Sequence, residues 1–471
     1  MPEWLITEPL GHFYYLLAML LPFRQAARLP GTHMPIPRVG FGRRALTITS
    51  MEQNEVLKAL RRDHAAELKL AAERLKGTAR HTEIIPSPVL SEMTGHEILL
   101  KPENLQVTGS FKIRGAYNKI ASLTDEQLAH GIVTASAGNH AQGVAYAARE
   151  RGAKATICMP QITPPLKVDA TKAYGADVVL CGEVFDESAA HAQELSDNEG
   201  MIYVPPFDDY EVLCGQGTIG LEILEDVPNV TDVVVPLGGG GLGAGVALAI
   251  KTFEPEVRVI GAIPEGSPAW KNSLAAGRVV AADQVRTSAE GVAVKRPGDL
   301  TFALLNEFLD DLVTVTERDI NEMILLMLEK HKLVVEAAGA VSLAALEHLN
   351  LRSRKFAEAK GPHVVVPILS GGNEDTVSIS AVIQKGMIAR GRIMNFEVEL
   401  PDTPGQLVKV ATILAEQRAN VIALDHDQFK ASSHYTDSVS LGVTVETNGP
   451  EHIDRILDAM RAAGFRPKRI Y

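Results

Sequence analysis

The sequence predicts an α/β chain of two lobes built on parallel sheets, followed by a smaller α+β module of ferredoxin-like order. Three observations predict it. From residue 98 to residue 390, apolar runs alternate with amphipathic helical stretches, the pattern of a mainly parallel sheet covered on both faces. Three loops, Ser136-Ala-Gly-Asn-His140, Gly238-Gly-Gly-Gly-Leu242 and Ser370-Gly-Gly-Asn373, each follow a strand and precede a helix. After Ile393 the order of elements changes to β-α-β-β-α-β.

Taken in order, the chain opens on its least typical stretch. Residues 13–23 are apolar, but 11 residues fall short of the ~20 that a membrane span needs. Glu3 and Glu8 precede this stretch and the first arginine, Arg24, follows it, the wrong polarity for a secretory signal. Arg24, Arg28, Arg38, Arg43 and Arg44 suit an organelle-targeting leader. The plainer reading makes residues 1–50 an extension outside the fold, with Met51 opening the folded protein.

Residues 54–76 have helical spacing in Val56, Leu57, Leu60, Leu68, Ala71 and Leu75, with Gly77 placed to stop the helix. A short apolar strand follows at 98–100. Strands at 132–135, 155–159 and 178–181 each lead into a helix, at 141–149, 166–174 and 185–199. After a strand at 202–204 the pattern resumes at 232–236, with a helix to Phe253, then strands at 257–262, 312–315 and 364–369 and a final helix. Two lobes with a cleft between them are expected within residues 51–394, the smaller near 98–205 and inserted between parts of the larger. Residues 395–471 form the third unit. There, strands at 395–400, 421–424 and 439–445 and a terminal segment from Arg466 alternate with two helices marked by Leu407, Val410, Ala411, Leu414 and by Ile453, Ile456, Leu457, Met460. Asp402, Thr403 and Pro404 offer an N-cap and first-turn proline for the first of these helices.

Composition bounds the function. A chain of 471 residues with 46% hydrophobic and 22% charged residues reads as a soluble globular protein. Its formal net charge of -12, with no dense basic patch, argues against nucleic acid, and no stretch argues for a membrane. Cys158, Cys181 and Cys214 are scattered without a Cys-x-x-Cys spacing, which suggests neither a disulfide framework nor a zinc knuckle and fits a reducing cytoplasm.

The chemistry centres on Lys112, in the stretch from Lys101 to Ala116 and just before a helix. In parallel sheets, loops that leave a strand for a helix line the carboxyl edge, where ligands bind. Gly238, Gly239, Gly240, Gly241 and Leu242 suit a phosphate cradle, because residues without Cβ let backbone N–H groups approach an anion at a helix N-terminus. Lys112 could then meet the carbonyl of a phosphorylated cofactor as an imine. Taken singly, each piece has a plainer reading: a solvated lysine, a tight turn at Asn139, a helix cap at Ser370, a satisfied polar His140. The glycine run also fits G-x-G-x-x-G through Gly238, Gly240 and Gly243, with Glu265 placed for a ribose hydroxyl, so a dinucleotide reading stays open at this point.

The joint pattern is more specific. Ser110-Phe-Lys-Ile-Arg-Gly-Ala116, Thr134-Ala-Ser-Ala-Gly-Asn-His-Ala-Gln-Gly143, the glycine run, Glu290-Gly-Val-Ala-Val-Lys295, Val335-Glu-Ala-Ala-Gly-Ala340 and Leu369-Ser-Gly-Gly-Asn373 resemble threonine dehydratase (threonine ammonia-lyase), a fold-type II pyridoxal phosphate enzyme. The resemblance runs from about residue 75 to Ile393, and residues 395–471, with Pro401-Asp-Thr-Pro-Gly-Gln-Leu407, resemble an ACT-like regulatory domain. It implies that Lys112 holds pyridoxal 5'-phosphate and removes the substrate's Cα proton. It further implies that Phe111 packs near the ring, Asn139 bonds the phenolic oxygen, and the glycine run from Gly238 to Leu242 holds the phosphate. Ser370 would face the pyridine nitrogen, and Ser136, Asn139 and His140 would belong to the loop that grips the substrate carboxylate. The implied reaction converts L-threonine to 2-oxobutanoate and ammonia, with serine as a side substrate and the cofactor phosphate as the acid for the leaving hydroxyl.

Two departures narrow the choice. Ala137 stands where serine racemases carry a second acid/base residue, and Ile263 and Ala269 stand where some relatives hold a divalent metal with acidic side chains, so neither racemisation nor such a metal site is expected. The resemblance also implies a homodimer or homotetramer and a branched-chain amino acid effector, isoleucine or valine, at the C-terminal domain. The alternatives are a β-replacement enzyme, which usually has threonines flanking the Gly-Asn pair where this chain has Ala137 and His140, and a non-catalytic amino-acid-binding regulator, against which Lys112 argues.

Overall fold

A computed structural model describes residue 56 and residues 58–349, 363–427 and 438–471. Residues 1–50 and Met51 lie outside the described residues. Strands β1 (Ile85–Pro86) and β2 (Glu97–Leu100) form an antiparallel pair. Strands β3 (Ile132–Ala135), β4 (Ala155–Met159), β5 (Asp177–Leu180) and β6 (Ile202–Tyr203) make a wholly parallel sheet in the order β5-β4-β3-β6. Strands β7 (Asp232–Pro236), β8 (Arg258–Pro264), β9 (Asp311–Val315) and β10 (Val364–Pro367) join the first pair in a six-stranded sheet of order β1-β2-β10-β7-β8-β9. Every residue of β7, β8 and β10 is buried, as valine-rich strands covered on both faces should be. One apolar core lies under helices Tyr210–Asp226 and Gly241–Phe253, and the other under Glu317–Leu326 and Ala337–Ala344.

The two lobes therefore form as expected, with one correction at their border. The strand expected at 98–100 belongs to the large sheet, where β2 pairs in parallel with β10. The smaller lobe starts at helix Lys112–Ala121, whose Ile113, Ala116 and Ile120 share a core with β3 and β4. A second correction concerns the single helix expected over 54–76. The chain leaves helical geometry at 61–63, and a new helix, His64–Leu75, starts with Asp63 accepting a bond from the Ala66 amide at 3.1 Å. A short side-chain oxygen offers the backbone a local alternative to the continuing helical ladder.

The C-terminal unit has the expected order. Strands β11 (Ile393–Pro401), β12 (Asn420–Asp427), β13 (Ser438–Glu446) and β14 (Lys468–Arg469) form an antiparallel sheet, β12-β13-β11-β14. Its core holds Phe396, Val398 and Leu400 of β11 with Val410 and Leu414 of helix Gln406–Glu416 and Ile453, Ile456 and Met460 of helix Pro450–Ala462. The cap differs from expectation: Gly405, at φ 93°, occupies the N-cap with no side-chain hydrogen bond. The hydroxyl of Thr403 instead accepts from the Gln406 side chain at 3.2 Å, outside the first turn. Among the described residues no helix is long and apolar enough to cross a membrane.

Candidate active site

The segment before Lys112 is stitched to the third of the glycine loops. The Phe111 amide donates to the Ser370 carbonyl at 3.1 Å, Gly372 donates to the Gly109 carbonyl at 2.9 Å, and Ser110 forms an antiparallel bridge with Gly371. Lys112 then opens helix Lys112–Ala121. Two neighbouring helices approach that helix at glycines. A Cβ on Gly143 would stand 3.1 Å from the Lys112 carbonyl carbon, and one on Gly215 would stand 2.4 Å from the Arg114 carbonyl oxygen. The lysine's position is thus set by backbone packed against backbone.

The Lys112 amine donates to the Pro206 carbonyl at 2.8 Å. Burial lowers its pKa to about 8, against the opposing pull of the Glu336 charge. The residue after Pro206 links the amine to the glycine run. The Phe207 ring lies 2.3 Å from where a Gly239 Cβ would be, and the Phe207 Cβ 2.9 Å from that of Gly241. Gly240 has φ 99°, and its Cβ would meet the Trp270 ring at 2.5 Å and the Thr301 Cβ at 2.8 Å. Trp270 Nε1 donates to the Gly238 carbonyl at 2.6 Å and Thr301 Oγ1 to that of Gly239 at 2.7 Å. With these carbonyls tied down, the amides of the run and the first turn of helix Gly241–Phe253, which has no side-chain cap, are the donors offered to an anion. Leu242 is buried in that turn and anchors it to the core.

Gly240→Ala is expected to weaken retention of an anionic cofactor at least tenfold, because left-handed backbone at a residue with Cβ costs about 1–3 kcal/mol before the clash with Trp270 is counted. Equilibrium dialysis of the variant against the wild type measures it.

Asn139, first residue of helix Asn139–Glu150, reaches from the smaller lobe to the larger. Its Nδ2 donates to Glu336 Oε1 and its Oδ1 accepts from Asn373 Nδ2, both at 2.8 Å. Glu336 is buried, which raises its pKa to about 7 despite the bond from Asn139. Ser136 Oγ accepts from the Gly138 amide at 3.2 Å and holds the loop turned. Ser370 is buried beside Gly371, whose Cβ would stand 2.5 Å from Glu336 Oε1 and 3.2 Å from Asn139 Nδ2. The His140 side chain is buried, its Nε2 lies 3.0 Å from the Val204 carbonyl, and burial together with the nearby Lys112 charge lowers its pKa to about 3. Neutral at all ordinary pH, it ties the helix start to β6's end, leaving its backbone to face the loop.

The residues named from sequence gather around one cleft between the lobes, with the His140 imidazole buried near Lys112 and bonded to the Val204 carbonyl. Four others at the cleft carry no assignment from sequence: Pro206 and Phe207, the Asn373 side chain and Glu336. For Glu336 a signal exists, a lone carboxylate inside an apolar run, Val335-Glu-Ala-Ala, which burial turns into a perturbed acid. A separate cavity of about 710 Å³ opens at the opposite, amino-terminal edge of the large sheet, between Asp232, Arg258 and His363, and touches none of these loops.

Comparison with known proteins agrees with this arrangement. Residues 75–371 match the family described as pyridoxal-phosphate dependent enzyme. The chain is 45% identical over 395 residues to an L-threonine ammonia-lyase of Geobacter sulfurreducens, covering 84% of this chain and 96% of that one. It is 45% identical over 400 residues to an L-threonine ammonia-lyase of Thermotoga maritima, covering 85% and 97%. Among solved structures, the processed form of threonine deaminase isoform 2 from Solanum lycopersicum superimposes with a TM-score of 0.64 at 35% identity, over 76% of this chain and 98% of that one.

Proposed function

The chain belongs to the family of pyridoxal-phosphate dependent enzymes, and from that premise we propose that it converts L-threonine to 2-oxobutanoate and ammonia, with L-serine as a secondary substrate giving pyruvate. The observation that carries the reading is a largely desolvated lysine amine one residue contact away from a glycine cradle that a Cβ would fill. The residues fit the cofactor on the structure's own terms: an uncapped helix start for the phosphate, an amine for the carbonyl, and a buried Ser110 Oγ without a hydrogen-bond partner beside the lysine. When bound, pyridoxal phosphate supplies the electron sink that makes the substrate's Cα–H bond acidic.

The chain's own residues do the rest. The glycine run, Gly238, Gly239, Gly240, Gly241 and Leu242, would hold the phosphate, and Phe111 would pack against the ring. Asn139, fixed at both ends of its amide by Glu336 and Asn373, would orient the ring through its phenolic oxygen. Ser136, Asn139 and the backbone at His140 hold the substrate carboxylate. Lys112 Nζ, neutral in part near neutral pH, takes the Cα proton. Ser370, buried at the cleft, would offer the pyridine nitrogen a hydroxyl, a weaker partner than a carboxylate. The overall reaction balances as threonine giving the oxo acid and ammonia, because the water lost in elimination returns on hydrolysis. At Ala137 a methyl group cannot carry a proton to the opposite face of Cα, so racemisation is not part of the reading. Purified protein given L-threonine should release 2-oxobutanoate and ammonia in equal amounts, and release of neither by cofactor-loaded protein would refute the proposal.

The lowered pKa of Lys112 predicts how the cofactor is taken up. Only the neutral amine attacks a carbonyl, so the uptake rate of cofactor-free protein should rise about tenfold per pH unit below about pH 8 and level off above it. Stopped-flow absorbance gives that profile; a rate still rising through pH 10 would mean an ordinary, solvated lysine.

Residues 51–394 are read as the catalytic unit and 395–471 as an ACT-like regulatory unit that binds a branched-chain amino acid. Strand β12 lies at the edge of its sheet with Val421, Ile422 and Leu424 exposed, an arrangement that favours pairing with another copy in a homodimer or homotetramer. Deleting residues 395–471 should leave elimination intact and remove any response to isoleucine or valine, measured as the change in initial rate with effector; a response retained by the truncated protein would contradict the assignment. A cytoplasmic setting fits three unpaired cysteines.

A further inference from the structure

Outside the cleft, the smaller lobe brings together three side chains that the proposed reaction does not use. Cys158 lies in β4, Cys181 directly follows β5, and His191 lies on helix Phe185–Glu199, which covers this face of the sheet. One atom from each, the two Sγ atoms and an imidazole nitrogen, lie within 4.8 Å of one another. We propose that Cys158, Cys181 and His191 form a binding site for one thiophilic divalent cation of the Zn2+ type, separate from the active site.

The donor set selects the ion class. Two thiolates and an imidazole suit a cation that tolerates soft ligands and tetrahedral geometry, whereas Mg2+ and Ca2+ want oxygen. Tetrahedral Zn–S and Zn–N bonds of ~2.3 and ~2.0 Å place the ligand atoms roughly 3.5–3.8 Å apart, so the cluster has to contract by an ångström or so. Contraction is open to it, because Cys181 and His191 are not locked in the core. Cys158 is fully buried, Cys181 is partly buried, and the His191 side chain is 37% exposed. The fourth position faces solvent on the imidazole side and takes water. His191 Nδ1 lies 3.4 Å from Glu194 Oε2, one turn further along the helix. With Nε2 on the ion, Nδ1–H donates to that carboxylate and fixes the ring, the usual outer support of a metal-bound histidine. Binding removes one proton from each thiol, and both go to solvent.

The site also touches the cleft through the backbone. The Cys158 carbonyl accepts the Ser136 amide at 3.1 Å, and the Cys181 amide donates to the Met159 carbonyl at 2.8 Å. An ion here therefore clamps the ends of β4 and β5 directly behind the substrate loop. Sequence spacing hides the cluster, since its members come from two strands and a helix with no short motif between them.

The test uses reduced, cofactor-loaded full-length protein stripped with a chelator and titrated with Co2+, then Zn2+. One Co2+ per chain should bind with sulfur-to-cobalt charge-transfer absorption in the near ultraviolet, and Zn2+ should displace it. Glu194→Gln should weaken Zn2+ binding by about 10–100-fold, and Cys181→Ser and His191→Ala by more, while 2-oxobutanoate formation in metal-free buffer stays at the wild-type rate. The partly exposed positions of Cys181 and His191 let those variants fold, which far-ultraviolet circular dichroism checks. Absence of the charge-transfer band in the reduced wild type, or its survival in both ligand variants, would overturn the proposal.

Discussion

Lys112→Ala should lower the turnover of L-threonine by at least about 10³-fold, the scale of losing a positioned base that, as proposed, also attaches the cofactor. Among the groups packed around the glycine run, Lys112 Nζ is the one within hydrogen-bond reach of Pro206, and nearby Lys167 is paired with Glu290 at 2.8 Å. The variant should still bind pyridoxal phosphate through the glycine cradle, more weakly and without covalent attachment. The measurement is single-turnover formation of 2-oxobutanoate at saturating cofactor. Residual activity within tenfold of the wild type would mean that the proton at Cα goes to another group. Added methylamine, a small soluble base, should restore part of the rate in the variant and none in the wild type.

Arg114→Leu should destabilise the catalytic unit by about 3–5 kcal/mol at neutral pH, the usual consequence of removing one partner of a buried ion pair. Arg114 is 1% exposed and Glu103 0%. The guanidinium donates to Glu103 through Nε and Nη2, each at 2.8 Å, and to Glu222 through Nη1 and Nη2 at 2.6 and 2.9 Å. These charges hold the Glu103 carboxyl below its usual pKa although burial pushes the other way. In the wild type this pairing therefore contributes stability at neutral pH that is lost as pH falls through the carboxylate range. In the variant, Glu103 keeps the Thr82 hydroxyl at 2.6 Å and the weaker influence of the Lys101 charge but loses its paired guanidinium, so its folded pKa rises and the penalty grows with pH. Denaturant midpoints at pH 7 and pH 5 should show a smaller loss at the lower pH. Because Arg114 lies two residues beyond Lys112 on the same helix, cofactor occupancy should fall with stability. A pH-independent change below about 1 kcal/mol would show that the network contributes no more than a surface pair.

How far the sequence can be read follows from the kind of signal each element carries. Strands such as 132–135 and 232–236 and helix 185–199 stand in the structure at the residues expected, because turn residues bracket each one. Helix Tyr210–Asp226 is not legible from sequence, although it packs behind both the lysine helix and the glycine-run helix. It is buried on most of its surface and carries Gly215, Gly217 and Gly220, so it lacks the polar face that reveals a helix by its period. The break at Asp63 and the Gly405 cap turn on single local bonds that periodicity does not register.

The site divides in the same way. Lys112, Asn139 and the glycine run are singled out from sequence because each sits in a short motif with a marked local backbone geometry. Glu336 is not, since its role depends on burial and on Asn139, 197 residues away. The His140 imidazole goes with the substrate loop by its neighbours in sequence, and the contact it makes with the Val204 carbonyl could not be read from them. A helix start presents successive side chains in different directions. Adjacent residues of one loop therefore serve different layers of the protein.

As proposed, Lys112 and the glycine run together hold pyridoxal phosphate, with the deamination of threonine depending on both. The most direct test is borohydride reduction of the cofactor-loaded protein followed by peptide mass spectrometry, with 2-oxobutanoate release from L-threonine measured before and after. The expected result is a single pyridoxyl group on Lys112 and complete loss of activity on its formation. Label on another lysine, or full activity surviving stoichiometric label at Lys112, would contradict it.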